Sequence, residues 1–136
     1  MPETLKLEIV TPEKVVYSAD VLMVTLTTMD RQIGVYPRHT TLLTRLKPGE
    51  ITVKKPDGNE FLAVGGGLVE VTGDHVAIVT DMAVAARDID EAKAAEARQR
   101  AAARLRDKAS DEEVATVNAS LARSLAQLKV KRRHRM

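Results

Sequence analysis

The chain has 136 residues, which fits one ordinary domain or one small domain with an appendage. Its 21 basic and 19 acidic residues leave a net charge of +2, and the absence of cysteine excludes disulfides and thiolate chemistry. No apolar run approaches the roughly 20 residues that span a bilayer, and the N-terminus lacks the basic and apolar regions of a signal peptide. We therefore expect a soluble, intracellular protein.

The composition changes sharply along the chain. All seven glycines and all five prolines lie at or before Gly73, whereas 13 alanines lie from Ala86 onward. Residues 1–85 carry a net charge of −3 and residues 86–136 a net charge of +5, with no acidic residue after Glu113. This predicts an N-terminal half that turns often and a helical C-terminal half whose basic end seeks a negative surface.

The N-terminal half has the pattern of short strands. Strand-like runs are followed by turn signals, of which Pro56-Asp57-Gly58-Asn59 and Gly73-Asp74 each predict a hairpin. The residues between Pro37 and the Pro48-Gly49 turn are predicted as a polar loop. Eight to ten such strands indicate an antiparallel sandwich or barrel of about 85 residues. The runs are 5–9, 15–17, 21–28, 33–36, 51–53, 61–64, 68–71 and 76–79.

Two helices are predicted to follow. Asp88 and Glu91 have the spacing of a capping box that opens a helix running to about Lys108, and Ser110 and Glu113 have the spacing of a second. The second helix carries a narrow apolar stripe, which predicts packing against the first helix as an antiparallel hairpin. Because the first helix offers mostly alanine, we expect weak adhesion and a hairpin that opens at small cost. The stripe is Val114, Val117, Leu121, Leu125 and Leu128.

No motif indicates an enzyme acting alone. The three histidines, His39, His75 and His134, lack metal-ligand spacing, so no metal site is predicted. The Gly65–Gly67 run precedes a strand and lacks the lysine of a phosphate loop, so it predicts a close approach of backbones. None of the three aromatic residues lies in the basic half, which argues against base stacking on nucleic acid.

The segment from Gly34 to Ile51 is the most specific in the chain. It resembles the G-x-x-P-x-H-x-x-L-L-T-x-L-x-P-G-x-I signature of the epsilon subunit of bacterial F-type ATP synthases. The resemblance continues, in order, through 66–71, 88–97 and 121–130, and so spans nearly the whole chain. It implies an α+β fold: a ten-stranded β-sandwich, here residues 1–86, followed by a two-helix hairpin, residues 87–136.

The resemblance also implies a function. Members of the family are non-catalytic subunits of the central stalk of a proton-translocating rotary motor, and they couple c-ring rotation to the catalytic head. The implied partners are the gamma subunit, the c-ring, and the beta and alpha subunits. The chain would be present once per complex, monomeric when isolated, and peripheral to the cytoplasmic face of the bacterial inner membrane. No catalytic residue, metal or permanent cofactor is implied.

Individual residues follow from the same resemblance. The implied gamma-subunit contacts are Pro37, His39 and Thr40, and the implied c-ring contacts are Arg31 and Gln32. The implied inhibition of ATP hydrolysis would use basic residues that meet the beta subunit, namely Arg123, Lys129, Lys131 and Arg132. Some members bind regulatory ATP in the hairpin, and the matching positions are Asp90, Lys93, Arg100 and Arg123, with Lys93 in place of arginine.

The residues alone leave a different function class open. A small β-sandwich adaptor whose basic hairpin binds nucleic acid or anionic lipid fits the same charge distribution. Co-purification with gamma and beta subunits favours the stalk subunit, and salt-sensitive retention on nucleic acid favours the adaptor. A carbohydrate-binding sandwich is disfavoured by the scarcity of aromatic residues.

Overall fold

The computed structural model describes residues 3–106 and 111–134. The N-terminal part consists of strands and the C-terminal part of helices, in the predicted order. The elements are β1 (Leu5–Val10), β2 (Val15–Val21), β3 (Met23–Thr27), β4 (Gln32–Val35), β5 (His39–Leu46), β6 (Gly49–Lys55), β7 (Gly58–Val64), β8 (Gly67–Gly73), β9 (His75–Thr80), β10 (Ala83–Ala85), a 3₁₀ turn (Ala86–Asp88), α1 (Glu91–Arg106) and α2 (Asp111–Arg133).

The strands form two five-stranded sheets that enclose one core. Sheet A has the order β2-β1-β9-β8-β5, and sheet B has the order β10-β7-β6-β3-β4. The predicted fold class is confirmed, and of the two architectures left open the sandwich is the observed one. The pairing is antiparallel except between β1 and β9, which run parallel. Alternate residues of most strands enter the core, including Leu7, Ile51 and Ile78, which are fully buried.

Close approach of backbones explains the glycine run. A Cβ atom on Gly67 would lie 1.9 Å from the carbonyl oxygen of Val79 on the neighbouring strand. A Cβ atom on Gly65 would lie 1.8 Å from a carboxylate oxygen of Asp81. Real Cβ contacts are never so short. Gly67 meets a backbone atom and therefore requires glycine, as the sequence predicted, whereas at Gly65 the Asp81 side chain could move aside.

One segment differs from its prediction. Residues 39–46 form strand β5, at the edge of sheet A, and not a polar loop. An edge strand has one neighbour and a solvated face, so it tolerates Thr41 and Arg45 on its exposed side. Leu42, Thr44 and Leu46 alternate with them on the inner side.

The first helix begins later than predicted. Asp88 ends the 3₁₀ turn, and the N-cap of α1 is Asp90, whose Oδ1 accepts a hydrogen bond of 3.1 Å from the backbone N–H of Lys93. The capping box of Asp88 and Glu91 is therefore wrong, because Asp90 satisfies the free N–H groups of the first turn. The predicted helix end at Lys108 and the cap at Ser110 lie outside the described residues.

Ion pairs at both ends confirm the antiparallel hairpin. Arg104 near the end of α1 binds Glu113 near the start of α2 at 2.8 Å, and Arg132 near the end of α2 binds Glu91 at the start of α1 at 2.9 Å. The second half of α2 also packs on β6 and β7 of sheet B. Its buried residues there include Ala126 and Val130, which meet Ala63, Phe61, Met82, Val84, Ala86 and Ile89.

The predicted stripe of α2 is only partly correct. Leu128 is buried and Val114, Val117 and Leu121 are half-buried, but Leu125 is exposed. The helix has two neighbours, α1 and sheet B, so its contacts use more than one face. Ser124, Ala126 and Val130 are buried instead of Leu125.

Candidate functional site

A row of apolar side chains crosses the outer face of sheet A, the face away from the helices. Val15 pairs with Val10, Val10 with Val79, and Val79 with Leu68, so these four residues are in register on four adjacent strands. Val15, Val79 and Leu68 are each at least 50% exposed. We call these four residues the apolar row.

Two further exposed residues extend the apolar row across the edge strand. Leu43 on β5 is 69% exposed, the highest value among the large apolar side chains of the described residues. Met29, also exposed, is held beside Arg45 by a backbone hydrogen bond of 3.3 Å, and Arg45 pairs with Leu68. Leu43 pairs with Glu70 and Leu68 with Arg45, so charged residues lie among the apolar ones. A cluster of exposed apolar side chains on a small protein marks an interaction surface. The outer face of sheet A is therefore the candidate docking surface.

The strand predictions did not include this surface, although the sequence contains a pattern that indicates it. Residues 68–71 and 76–79 carry apolar side chains at neighbouring positions, such as Leu68 with Val69 and Ile78 with Val79. In a strand, neighbouring side chains point to opposite faces. One member of each pair must therefore leave the core, and the structure places Leu68 and Val79 on the outer face.

The predicted gamma-facing residues lie at the start of β5, on the same strand as Leu43. Pro37 and Arg38 form a turn, in which Arg38 has the left-handed backbone angle φ of 64°. The backbone N–H of Arg38 donates to Oδ1 of Asp74 at 2.9 Å, which holds the turn in this conformation. Thr40 is exposed, and Nδ1 of His39 lies 2.6 Å from the carbonyl oxygen of Thr40. These residues thus border the candidate docking surface.

The predicted c-ring contacts lie at the other end of β4. Arg31 and Gln32 are exposed at the turn between β3 and β4. Thr28 stabilises this turn, because its Oγ1 accepts a hydrogen bond from the backbone N–H of Arg31 at 3.1 Å and donates one to the Arg31 carbonyl at 2.8 Å. A strand of four residues therefore separates the two predicted contact regions.

The basic residues of α2 are bound within the fold. Arg123 lies 2.9 Å from Asp81, which precedes β10, and Arg132 lies 2.9 Å from Glu91. Lys131 donates to the carbonyl oxygen of Ala86 at 3.3 Å, whereas Lys129 is exposed. No acidic residue follows Glu113 in the sequence, but the fold brings acids from distant segments to two of these cations.

None of the predicted ATP residues lines the cleft that the structure forms between the two helices. Asp90 caps α1, Arg100 is exposed, and Arg123 binds Asp81. Among the described residues, the cleft between the helices has a volume of about 340 Å³ and other basic residues line it. Its lining is Ala95, Arg98, Gln99, Ala102, Arg106, Leu128 and Arg132.

Two negative findings apply to the described residues. In 3–106 and 111–134, no group of three histidine, aspartate or glutamate side chains is placed to hold a metal ion. Within the same residues, no helix has the length and apolar character needed to cross a membrane.

Comparisons with known proteins agree with this architecture. Residues 4–86 match the family model "ATP synthase, Delta/Epsilon chain, beta-sandwich domain", and residues 87–132 match "ATP synthase, Delta/Epsilon chain, long alpha-helix domain". The chain belongs to the ATP synthase delta/epsilon family. The predicted resemblance is thereby confirmed, as is the prediction of a non-catalytic subunit, since the relatives are epsilon chains.

The curated relatives match over almost their full length. The ATP synthase epsilon chain of Nitrosococcus oceani is 42% identical, with 99% of this chain and 97% of the relative covered. That of Halorhodospira halophila is also 42% identical, with 93% and 91% covered. Among solved structures, the cryo-EM structure of the Euglena gracilis mitochondrial ATP synthase contains a chain with a TM-score of 0.75 at 23% identity, covering 95% of this chain and 81% of that chain. At this identity the likeness supports the fold alone.

Proposed function

We propose that the chain is a central-stalk subunit of a proton-translocating F-type ATP synthase, in which it couples rotation of the c-ring to the catalytic head. The exposed apolar row on sheet A carries this proposal, because it provides a docking face on the side of the sandwich that the chain's own helices leave open. Curated relatives are named ATP synthase epsilon chains, which supports the assembly. The chain would then be peripheral to the cytoplasmic face of the bacterial inner membrane.

The gamma subunit is the proposed occupant of this face. Pro37, His39 and Thr40 border the face and match the family's gamma-facing region. We expect Leu68→Asp to lower the affinity for the isolated gamma subunit at least tenfold, since a charge would be buried in an apolar contact. Asn59→Asp, an exposed change near the start of β7 in sheet B, is the matched control. Equal affinities of wild type and Leu68→Asp, measured by calorimetry, would remove this surface from the interface.

The turn at Arg31 and Gln32 is the proposed c-ring contact. It lies at the end of β4 opposite the Pro37 turn, so the two regions can face different partners. Gln32→Lys should weaken retention of the chain on purified c-ring, with the exposed residue Thr72 changed to lysine as control. Equal retention of the two variants would contradict the assignment.

The hairpin is the proposed inhibitor of ATP hydrolysis. Its basic end fits an acidic segment of the beta subunit by charge. Lys129 is the most informative residue, because it is exposed even while α2 is docked on the sandwich. We expect Lys129→Glu to raise steady-state ATP hydrolysis by the assembled complex, and Lys54→Glu, an exposed change on β6, to leave it unchanged. Equal rates in the two variants would remove Lys129 from the inhibitory contact.

Binding of regulatory ATP to the hairpin is proposed from the resemblance alone. Binding through Arg123 would require this side chain to exchange its bond with Asp81 for a phosphate oxygen. We therefore expect Asp81→Asn to increase the heat of titration with magnesium-free ATP, and Arg123→Gln to abolish it. The absence of heat at millimolar ATP in wild type and in Asp81→Asn would eliminate the site.

A further inference from the structure

The C-terminal end of α2 meets a covered carboxylate on the sandwich. Glu50 lies on β6, where Ile51 and Val53 enter the core, so Glu50 faces outward beneath α2. Its side chain is 13% exposed. Oε2 accepts a hydrogen bond of 2.8 Å from Nη1 of Arg133, and Oε1 contacts Nε2 of His134. An ionised carboxylate only accepts hydrogen bonds, so this contact selects a form of His134 that carries a hydrogen on Nε2.

An aromatic contact fixes the same histidine. The imidazole of His134 stacks on the ring of Phe61, with centroids 3.6 Å apart and planes 8° from parallel. Phe61 packs against the cluster in which α2 places Ala126 and Val130 on the sandwich. The backbone of His134 is also held, because its N–H donates to the carbonyl of Val130 at 2.9 Å. The imidazole of His134 thus stacks on Phe61 with its face and contacts Glu50 with its edge.

The other ion pairs of the hairpin are more open to water. The side chains of Asp81 and Arg123 are 42% and 33% exposed, and those of Glu91 and Arg132 are 35% and 52% exposed. Exposed pairs contribute little because water and salt screen them. The side chains of Glu50 and His134 are only 13% and 17% exposed, so the contact between them should be stronger, whereas Arg133 is 63% exposed and its bond to Glu50 is partly screened.

We propose that Glu50, Phe61, Arg133 and His134 form a latch that sets how often the end of α2 leaves the sandwich. The apolar contact between α2 and the sandwich includes three alanines, Ala63, Ala86 and Ala126, which bury little area each. The polar latch adds to this contact and thereby shifts the balance between the docked and released helix. This inference rests on the proposed function in one respect, since release of the hairpin is what would let it inhibit.

Hydrogen exchange of the isolated full-length chain tests the latch. Glu50→Gln keeps the shape of the side chain but removes its charge, so the amides of residues 124–133 should exchange about tenfold faster. His134→Ala should have a similar effect, because it removes both the stack and a hydrogen bond. The matched control is Glu70→Gln, which removes one carboxylate from the exposed face of sheet A and should leave this segment unchanged.

A double-mutant cycle separates the latch from fraying of the helix end. Because Arg133 acts through Glu50, Arg133→Gln should speed exchange in the wild type and have no further effect in Glu50→Gln. Additive effects, or exchange in Glu50→Gln equal to wild type, would overturn the proposal. The isolated chain contains no ATPase, so a failed latch is distinguishable from a failed inhibitory role, which only the assembled complex reveals.

Discussion

The sandwich and the hairpin differ in what holds each together. The main core of the sandwich unites buried leucine, isoleucine and valine side chains from both sheets. In contrast, the buried residues of α1 are Ala94 and Ala101, and α2 meets the sandwich through a smaller apolar cluster and ion pairs. Apolar burial scales with the area removed from water. We therefore expect the sandwich to be stable by itself and the hairpin to detach from it at a smaller cost.

The largest expected difference in unfolding free energy is between one substitution in the sandwich and one in the hairpin. Leu7→Ala in the sandwich removes a fully buried side chain and should lower the free energy of unfolding by about 2–5 kcal/mol. Ala101→Gly in α1 should cost only about 1 kcal/mol, mainly through helix propensity. Urea denaturation followed by circular dichroism measures both values, and similar costs would contradict the contrast between the regions.

Substitutions at two glycines test how closely strands β8 and β9 approach each other in the sandwich. Gly67→Ala forces a methyl group against the Val79 carbonyl and should cost about 1–3 kcal/mol. Gly49→Ala is the control, because a Cβ atom there meets nothing within 4 Å. Thermal unfolding of the two variants compares them directly, and equal melting temperatures would refute the close approach of β8 and β9.

One tyrosine is expected to lower the stability of the sandwich. The hydroxyl of Tyr17 is buried and has no hydrogen-bond partner among the described residues. Tyr17→Phe should therefore raise the free energy of unfolding by about 1 kcal/mol. Burial raises the pKa of Tyr17 above 10.0, so above that pH the unfolded chain ionises more readily than the folded one and the wild type loses stability.

The advantage of Tyr17→Phe should consequently widen above pH 10. Denaturation at pH 8 and at pH 10.5 measures it, with Tyr36→Phe, a change at an exposed tyrosine, as control. A constant difference between wild type and Tyr17→Phe at the two pH values would contradict the burial argument.

The smallest expected effect on stability concerns the ion pair between Arg123 of the hairpin and Asp81 of the sandwich. Arg123→Gln breaks the contact with Asp81 and should cost less than about 1 kcal/mol, because both side chains are partly exposed. The loss should shrink further in 0.5 M salt, because the Debye length then falls below the roughly 10 Å of 0.1 M salt and the attraction between the two charges is screened more strongly. Melting curves at low and high salt measure it, and a large, salt-independent loss would mean that this pair anchors the hairpin.

Most of the fold could be predicted because its signals are local. Turn residues such as Gly58 and Asn59 and the alternation of Leu5, Leu7 and Ile9 gave the strands, and the lack of glycine and proline gave the helices. Strand β5 was missed because an edge strand carries polar residues that also suit a loop. The helix start was misplaced because Asp88 and Asp90 are both plausible caps, and the preceding 3₁₀ turn selects Asp90.

Less of the candidate site could be predicted, because it depends on contacts distant in sequence. The apolar row joins Val15 to Leu68 through two intervening strands, an order that no local pattern reveals. The partners of Arg123 and Arg133 lie 42 and 83 residues away in the sequence. The sequence of the C-terminal region therefore does not reveal these ion pairs. The exposure of Leu125 likewise depends on which of two neighbours the helix faces.

The central claim is that a stable docking sandwich carries a releasable, inhibitory hairpin. The most direct test is steady-state ATP hydrolysis by the assembled complex, with the full chain and with a chain lacking residues 88–136. The account predicts that both chains assemble, because the core cluster of the sandwich lies within residues 5–78, and that the shortened chain gives the higher rate. Equal rates from complexes with equal chain content would contradict it.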